Sequence, residues 1–245
     1  LERKAAIAVD GVPKLTATGG SPRTTAAVTI LANSLVVLFA KHETSTSATF
    51  TVDAALNAGI AAANWTYTTL TGDGAFIRMA YGISAGYVGT VRGAWSAGAA
   101  WCKLALIAFS GIDTVNPLES YTQNNSGGAG APGSTAPAIN NVTVADSVYV
   151  YGDARFAGGG FNNLLFGGVP GVEDWDDADT LGGGHLIVSA SANRSGSQTG
   201  PNTNWGTTMA AFNAPAAGPT TMVDEGIGVM RTVPRRAGWQ RTVVN

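Results

Sequence analysis

Apolar and β-branched residues along this chain either alternate with polar ones or gather in short runs closed by turn formers, and both patterns are those of strands. Residues 24–40 (TTAAVTILANSLVVLFA) read as two β-runs around a turn at Ala32-Asn33-Ser34, each apolar enough for a central strand. Residues 64–70 (NWTYTTL) alternate aromatic or aliphatic side chains with Thr, so one face is buried. Thr71-Gly72-Asp73-Gly74 supplies a turn, and 75–81 (AFIRMAY) is the returning strand of a hairpin. Residues 90–96 and 101–110 (WCKLALIAFS) follow as further strands. Helix-forming residues gather only at 53–63 (DAALNAGIAAA), where Gly59 weakens them.

The pattern is written twice. Residues 126–137 (SGGAGAPGSTAP) are the strongest boundary signal, and after them 142–150 (VTVADSVYV) match 28–36 (VTILANSLV) with one residue of offset, polar turn included. Residues 187–212 likewise echo 83–109. The expected fold is all-β: an antiparallel β-sandwich built from two similar halves, with two tandem small domains as the alternative. An N-terminal arm over 1–23, a sandwich over 24–225 with a half boundary near 126–137, and a C-terminal arm over 226–245 complete the expected organisation. The ends are irregular and mixed in charge, and read either as arms that order on a partner or as plain edge strands.

Composition narrows the class. With 33 Gly and 10 Pro in 245 residues a helical bundle is excluded, and a formal charge of -2 with mean hydropathy +0.13 excludes an intrinsically disordered chain. A pI near 5.6 leaves no basic face for phosphate, so nucleic acid is not an expected partner. Apolar runs fall short of the roughly 18 residues of a membrane-spanning helix, and no signal peptide is visible at Leu1-Glu2-Arg3-Lys4, so a soluble chain is expected. The lone Cys102 excludes an intrachain disulfide and reads as a small buried hydrophobe.

Chemical constellations are sparse. Gly82-Ile83-Ser84-Ala85-Gly86 has the letters of a nucleophile elbow, with Asp153 and His185 following in hydrolase order, but the Gly-broken, β-like stretch after it is not the helix that an elbow needs. Residues 128–133 match a dinucleotide fingerprint by letter only, because no strand precedes them and Pro132 interrupts them. Glu173, Asp174, Asp176, Asp177 and Asp179 form an acidic run, read as a solvated loop or as oxygen ligands for Ca²⁺. His42 and His185 do not make a zinc site. Trp65, Trp95 and Trp101 fall in predicted strands and are assigned to the core, whereas Trp205 and Trp239 have polar neighbours and are assigned to the surface.

Residues 104–118 (LALIAFSGIDTVNPL), together with SLVVLFA after its short turn, resemble β-sandwich domains of phage virion proteins and of some large secreted bacterial proteins, over about 24–212. The resemblance implies a concanavalin-like or jelly-roll sandwich serving attachment or assembly, and it brings no catalytic residues. Locally, Gly111 can take positive φ, Asp113 can accept backbone N–H groups and Pro117 fixes the loop exit, so this is a sheet corner. The expected function is a non-enzymatic virion structural protein: a capsid decoration or tail/fibre component, a homo-oligomer of the extracellular particle. Arg231, Arg235, Arg236, Trp239 and Arg241 would dock it on other virion proteins or on copies of itself. The alternative is a carbohydrate-binding module of a secreted or cell-surface protein, Ca-dependent, with Trp175, Trp205 and the acidic run contacting a glycan.

Overall fold

A computed structural model of the chain describes residues 6–44, 46–96, 98–126, 134–139, 146–156, 160–176, 180–190, 192–200, 203–216, 221–222 and 231–232. The first half holds β1 (Ala8–Val9), β2 (Lys14–Leu15), β3 (Arg23–Thr24), β4 (Val28–Glu43), β5 (Phe50–Val52), β6 (Thr66–Tyr67), β7 (Thr71–Asp73), β8 (Ala75–Gly89), β9 (Arg92–Trp95) and β10 (Ala100–Ser110). The second holds β11 (Leu118–Asn125), β12 (Ser134–Ile139), β13 (Ser147–Arg155), β14 (Asn162–Phe166), β15 (Val169–Pro170), β16 (Val172–Asp176), β17 (Leu181–Val188), β18 (Arg194–Thr199) and β19 (Trp205–Asn213). Thr221–Met222 and Arg231–Thr232 pair with each other separately.

These strands make four antiparallel sheets. Sheet I runs β1-β10-β4-β8-β6, with β2 also on β10 and β7 on β8; sheet II is β3-β9-β5; sheet III is β11-β19-β13-β17-β16; sheet IV is β12-β18-β14-β15. Setting the edge strand β16 aside, the second half orders its strands 1-8-3-6 in sheet III and 2-7-4-5 in sheet IV, the connectivity of a jelly roll. The first half repeats it. There β1 and β2 share first place, β6 and β7 flank β8 as β16 flanks β17, and sheet II is one strand shorter.

Register makes the repeat exact to the residue. Leu35 lies between Ile83 and Phe109, and Val148 lies between Ile187 and Phe212. These are the residues at which the two echoing sequence blocks begin and end. Asn33 and Asp146, one residue before the Ser34/Ser147 pair, both have positive φ, 64° and 62°. Asn33 therefore does not reverse the chain as its turn signal predicts. It makes a bulge between Ala32 and Leu35, and β4 continues through it as one 16-residue strand that stays paired with β8 from Val28 to Glu43.

The layers stack II, I, III, IV. Sheet I is covered on both faces, which is why SLVVLFA and LALIAF read as unbroken apolar runs. Its Val36, Leu38, Leu104 and Leu106 meet Phe50, Trp95 and Trp65 on the sheet II side. Its Leu35, Val37, Phe39, Ile77 and Ile107 meet Val148, Val150, Ala210 and Phe212 of sheet III. Tyr149, Tyr151 and Met209 close the third layer against Leu164 and Phe166 of sheet IV.

The two jelly rolls meet about a local twofold. Tyr81 packs edge-on against Phe212 at 5.2 Å and 67°, and His185 against Phe109 at 5.4 Å and 69°. Tyr81 is opposite Val37 as His185 is opposite Val150, so these are one contact made twice, as an isologous pairing requires. Strand β8 thus lies over β19 and β10 over β17, which sets the axis along the strands. On that axis Phe39 meets its own equivalent, and the equivalent is Gly152: a Cβ there would stand 2.4 Å from the Phe39 ring. A large ring fits on a twofold only where its counterpart is small.

Three expectations change. The first jelly roll ends at Ser110 and the second begins at Leu118, so the units join through the 111–117 corner, ahead of the Gly/Pro/Ser segment that marks the boundary by composition. Ala8–Val9 and Lys14–Leu15 pair with β10, so this part of the N-terminal stretch is sheet edge. Residues 53–63 form turns, closed by one 3₁₀ turn at Ala62–Asn64.

Candidate functional site

The fold presents a large aromatic side chain on a bulge. Register between β10 and β4 slips between Ala100/Glu43 and Lys103/Lys41, so Trp101 and Cys102 oppose His42 alone. Trp101 takes φ 51°, a left-handed conformation that is rare for a bulky residue and stored at sites under constraint. Its side chain is 61% exposed. What holds the bulge is buried charge: Lys41 Nζ donates to the Trp101 carbonyl at 3.3 Å and to Glu43 Oε1, with Lys103 beside it across the strands. On the other side Cys102 exchanges backbone hydrogen bonds with Gly19, 2.6 and 3.2 Å, and the Arg23 guanidinium lies over Gly19. Burial pushes the Cys102 thiol up to about 11, so it is inert packing.

The equivalent position in the second jelly roll is Asn204, immediately before β19, where no such bulge is held. Differences between the halves mark what each unit adds to the shared scaffold. The second half buries Asp153 and Arg155 between sheets III and IV, at places filled in the first half by Ala40 and His42. Arg155 Nε reaches both Asp153 oxygens, at 3.2 and 3.1 Å, and Nη2 reaches Oδ2 at 3.0 Å and the Gln198 carbonyl at 3.5 Å. Its guanidinium also stands 5.6 Å over the Phe161 ring. A buried pair of this kind is held for geometry more than for stability.

The hydrolase letters do not assemble. Ser84 is buried on the sheet II side, donating to the Ala58 carbonyl at 2.7 Å and accepting the Gly86 N–H at 3.1 Å. Asp153 lies two layers away with Arg155, and His185 lies between sheets I and III, its Nδ1 2.6 Å from Asp174 Oδ2. Three layers hold the three residues.

The acidic run, expected as a loop, is a strand as far as Asp176. Glu173 accepts the Leu164 N–H at 3.0 Å, tying β16 to sheet IV, and Asp174 is taken by His185, so neighbouring carboxylates point to different partners. Asp176 sits opposite Gly182, and Asp177 and Asp179 lie outside the described residues. Among the described residues no group of three or more His, Cys, Asp or Glu is placed to hold a metal ion.

Trp65 and Trp95 are in the core as expected, and three other tryptophans differ from the sequence reading. Trp175 and Trp205, the candidate ligand contacts, are 3% and 5% exposed, Trp175 lying 5.5 Å from the Phe39 ring. Neither has a ring face open to a sugar. Trp101, assigned to the core, is the exposed one among the described residues, because the bulge breaks the alternation that put it inside. Arg231 is in the short strand opposite Met222, and Arg235, Arg236, Trp239 and Arg241 lie outside the described residues.

No family model, curated protein or solved structure matches this chain.

Proposed function

We propose that the chain is a structural component of a phage virion, a capsid decoration or a tail/fibre part that acts by protein–protein assembly. The observation that carries this reading is the isologous packing of two jelly rolls in one chain, through a face built to meet its own copy. Jelly rolls build viral shells and also lectins and cupins, so the fold sets the choices and the surface decides among them. Assembly is favoured over sugar binding because Trp175 and Trp205 spend their rings in the core. The phage resemblance of 104–118 points the same way.

The test is quantitative mass spectrometry of purified extracellular particles from the source culture, with the chain's copy number taken against the most abundant shell protein. A fixed ratio is expected. Recovery of the chain only as free protein would overturn the reading.

A further inference from the structure

We infer that the C-terminal hairpin, Thr221–Met222 with Arg231–Thr232, seats on the Val12/Leu31/Val88 patch of its own chain and covers the face of sheet I that sheet III does not reach. This goes beyond the virion reading and does not depend on it.

Strand β8 outruns the layer that packs on it. β8 and β19 run in the same direction, since each pairs antiparallel with one of the co-directed strands β4 and β13. They touch where Tyr81 meets Phe212 at 5.2 Å. β19 ends one residue later at Asn213, whereas β8 continues to Gly89, still paired with the first residues of β4. One face of this overhang is used, because Val28 and Ile30 join the core under sheet II. The other is the face on which Leu35 and Val37, further along β4, meet sheet III. It carries Leu31 and, opposite Thr29, Val88. Val12 stands beside them, because Gly11 lies against the Thr29 carbonyl and Asp10 Oδ2 accepts the Leu31 N–H at 2.7 Å. Exposure is 71% for Val12, 57% for Leu31 and 79% for Val88. Aliphatic side chains gathered in this way mark a surface that something covers, where scattered ones would need no explanation.

The occupant follows from where the chain goes after β19. It leaves Asn213 in the direction in which β8 continues, with the Ala214 N–H still held by the Asp146 carbonyl at 3.0 Å. Seven residues of strand separate Tyr81 from Val88, about 24 Å, and nine residues separate Phe212 from Thr221, a reach of up to about 30 Å. The tether is long enough. What it brings is a pair of strands that, among the described residues, is hydrogen-bonded into no other sheet. A two-stranded hairpin alone is marginal in water and needs an apolar surface to pack on. The sequence of this one supplies the side chains for such a contact: Met222, Val223, Ile227, Val229, Met230 and Val233. A hairpin without a sheet and an aliphatic face without a cover thus lie within one tether of each other, and a short tether favours the chain's own hairpin over that of another copy.

The test is amide hydrogen exchange read by mass spectrometry, on the full chain and on Leu31→Ser/Val88→Ser, with sedimentation velocity at the same concentrations. Both altered side chains are exposed, so unchanged exchange in β10 and β13 establishes that the variant is folded. In wild type, peptides covering 221–232 are expected to exchange more slowly than in the unfolded chain, and in Leu31→Ser/Val88→Ser about tenfold faster than in wild type. The converse variant, Ile227→Ser/Val229→Ser, is expected to bind an apolar fluorescent dye that wild type does not bind, and adding Leu31→Ser/Val88→Ser should abolish that signal. An unprotected hairpin in wild type, equal exchange in wild type and patch variant, or dye binding that survives the combined substitutions would each overturn the inference. Wild type is expected to be a monomer wherever the hairpin is protected. Protection found only where the chain sediments as a dimer or larger would give the patch to the hairpin of a neighbouring copy and overturn its assignment to the same chain. Presence or absence of the chain in particles tests the virion reading and leaves this contact untouched.

Discussion

Replacing Gly152 by alanine tests the twofold packing with a single methyl group. In most strands that exchange stabilises by about 0.5–1 kcal/mol, since Gly loses more conformational freedom on folding. Here the new Cβ would stand 2.4 Å from Phe39 Cδ1, 2.8 Å from Cε1 and 3.0 Å from Ile77 Cδ1. The ring cannot withdraw, because Trp175 stands behind it at 5.5 Å. A shift of about 1 Å would have to be taken by sheets I and III together, and overpacking of this kind costs about 3 kcal/mol, the upper end of its usual range. The sign of the effect is therefore reversed by the packing alone.

A double-mutant cycle isolates the contact. Phe39→Ala by itself leaves a cavity worth about 3–5 kcal/mol. With the ring gone, the methyl introduced by Gly152→Ala has room, so the double variant should be no less stable than Phe39→Ala, a coupling of about 3 kcal/mol between the two sites. Urea unfolding followed by fluorescence and circular dichroism gives the four free energies. Costs that add to within about 0.5 kcal/mol would mean that the two residues do not meet, and the stacking of sheet I on sheet III about Phe39 and Gly152 would be wrong.

Three further outcomes follow from side-chain environments. Arg155→Leu takes the guanidinium from a buried carboxylate and should cost about 3–5 kcal/mol, whereas Asp153→Ala/Arg155→Leu should recover most of that loss; equal losses in single and double variants, by thermal melting, would contradict it. Asp53 is held at about 2 by the Arg92 guanidinium and then by the N–H groups of Leu56 and Ala55. A lowered folded value means that its contribution is complete above the ordinary carboxyl value of about 3.9 and is lost as pH falls toward 2. Carbon-detected NMR titration should place its midpoint near 2, and a midpoint near 3.9 would refute the pairing. Cys102, fully buried and with its thiol raised to about 11, should not react with an alkylating reagent at pH 8 until the chain is unfolded; labelling of native protein would show the β10 edge to be open.

Much of the architecture was legible because sheets covered on both faces leave a plain trace. SLVVLFA and LALIAF are continuous apolar runs since neither face of sheet I meets water over those residues, and the repeat was legible since equivalent strands carry equivalent demands. Less could be read at single residues. An Asn in the left-handed region signals reversal and bulge alike, and what decides at Asn33 is that β8 stays paired with β4 both before and after it. Trp101 and Trp205 exchanged places for a similar reason. Polar neighbours in sequence say nothing about Trp205 once β19 has sheets I and IV on its two faces, and one slipped residue moves Trp101 from the inside to the outside. The Asp174–His185 pair was hidden because its partners are on adjacent strands, eleven residues apart, with nothing in the spacing to join them.

The direction of the local twofold bears on how such a chain can assemble. Had the axis run across the strands, β10 would lie over its own equivalent β19, and each end of the stack would present one end of each unit. Instead β10 lies over β17 and β8 over β19, as the Tyr81–Phe212 and His185–Phe109 contacts show, so β4 and β13 run the same way. Both jelly rolls then present equivalent ends together, the starts of β4 and β13 at one end and their finishes at the other. The broad faces of sheets I and III are used up inside the molecule, and sheets II and IV cover their outer sides. What the chain offers to others is edges and two ends, one of which carries the exposed Trp101 on its held bulge.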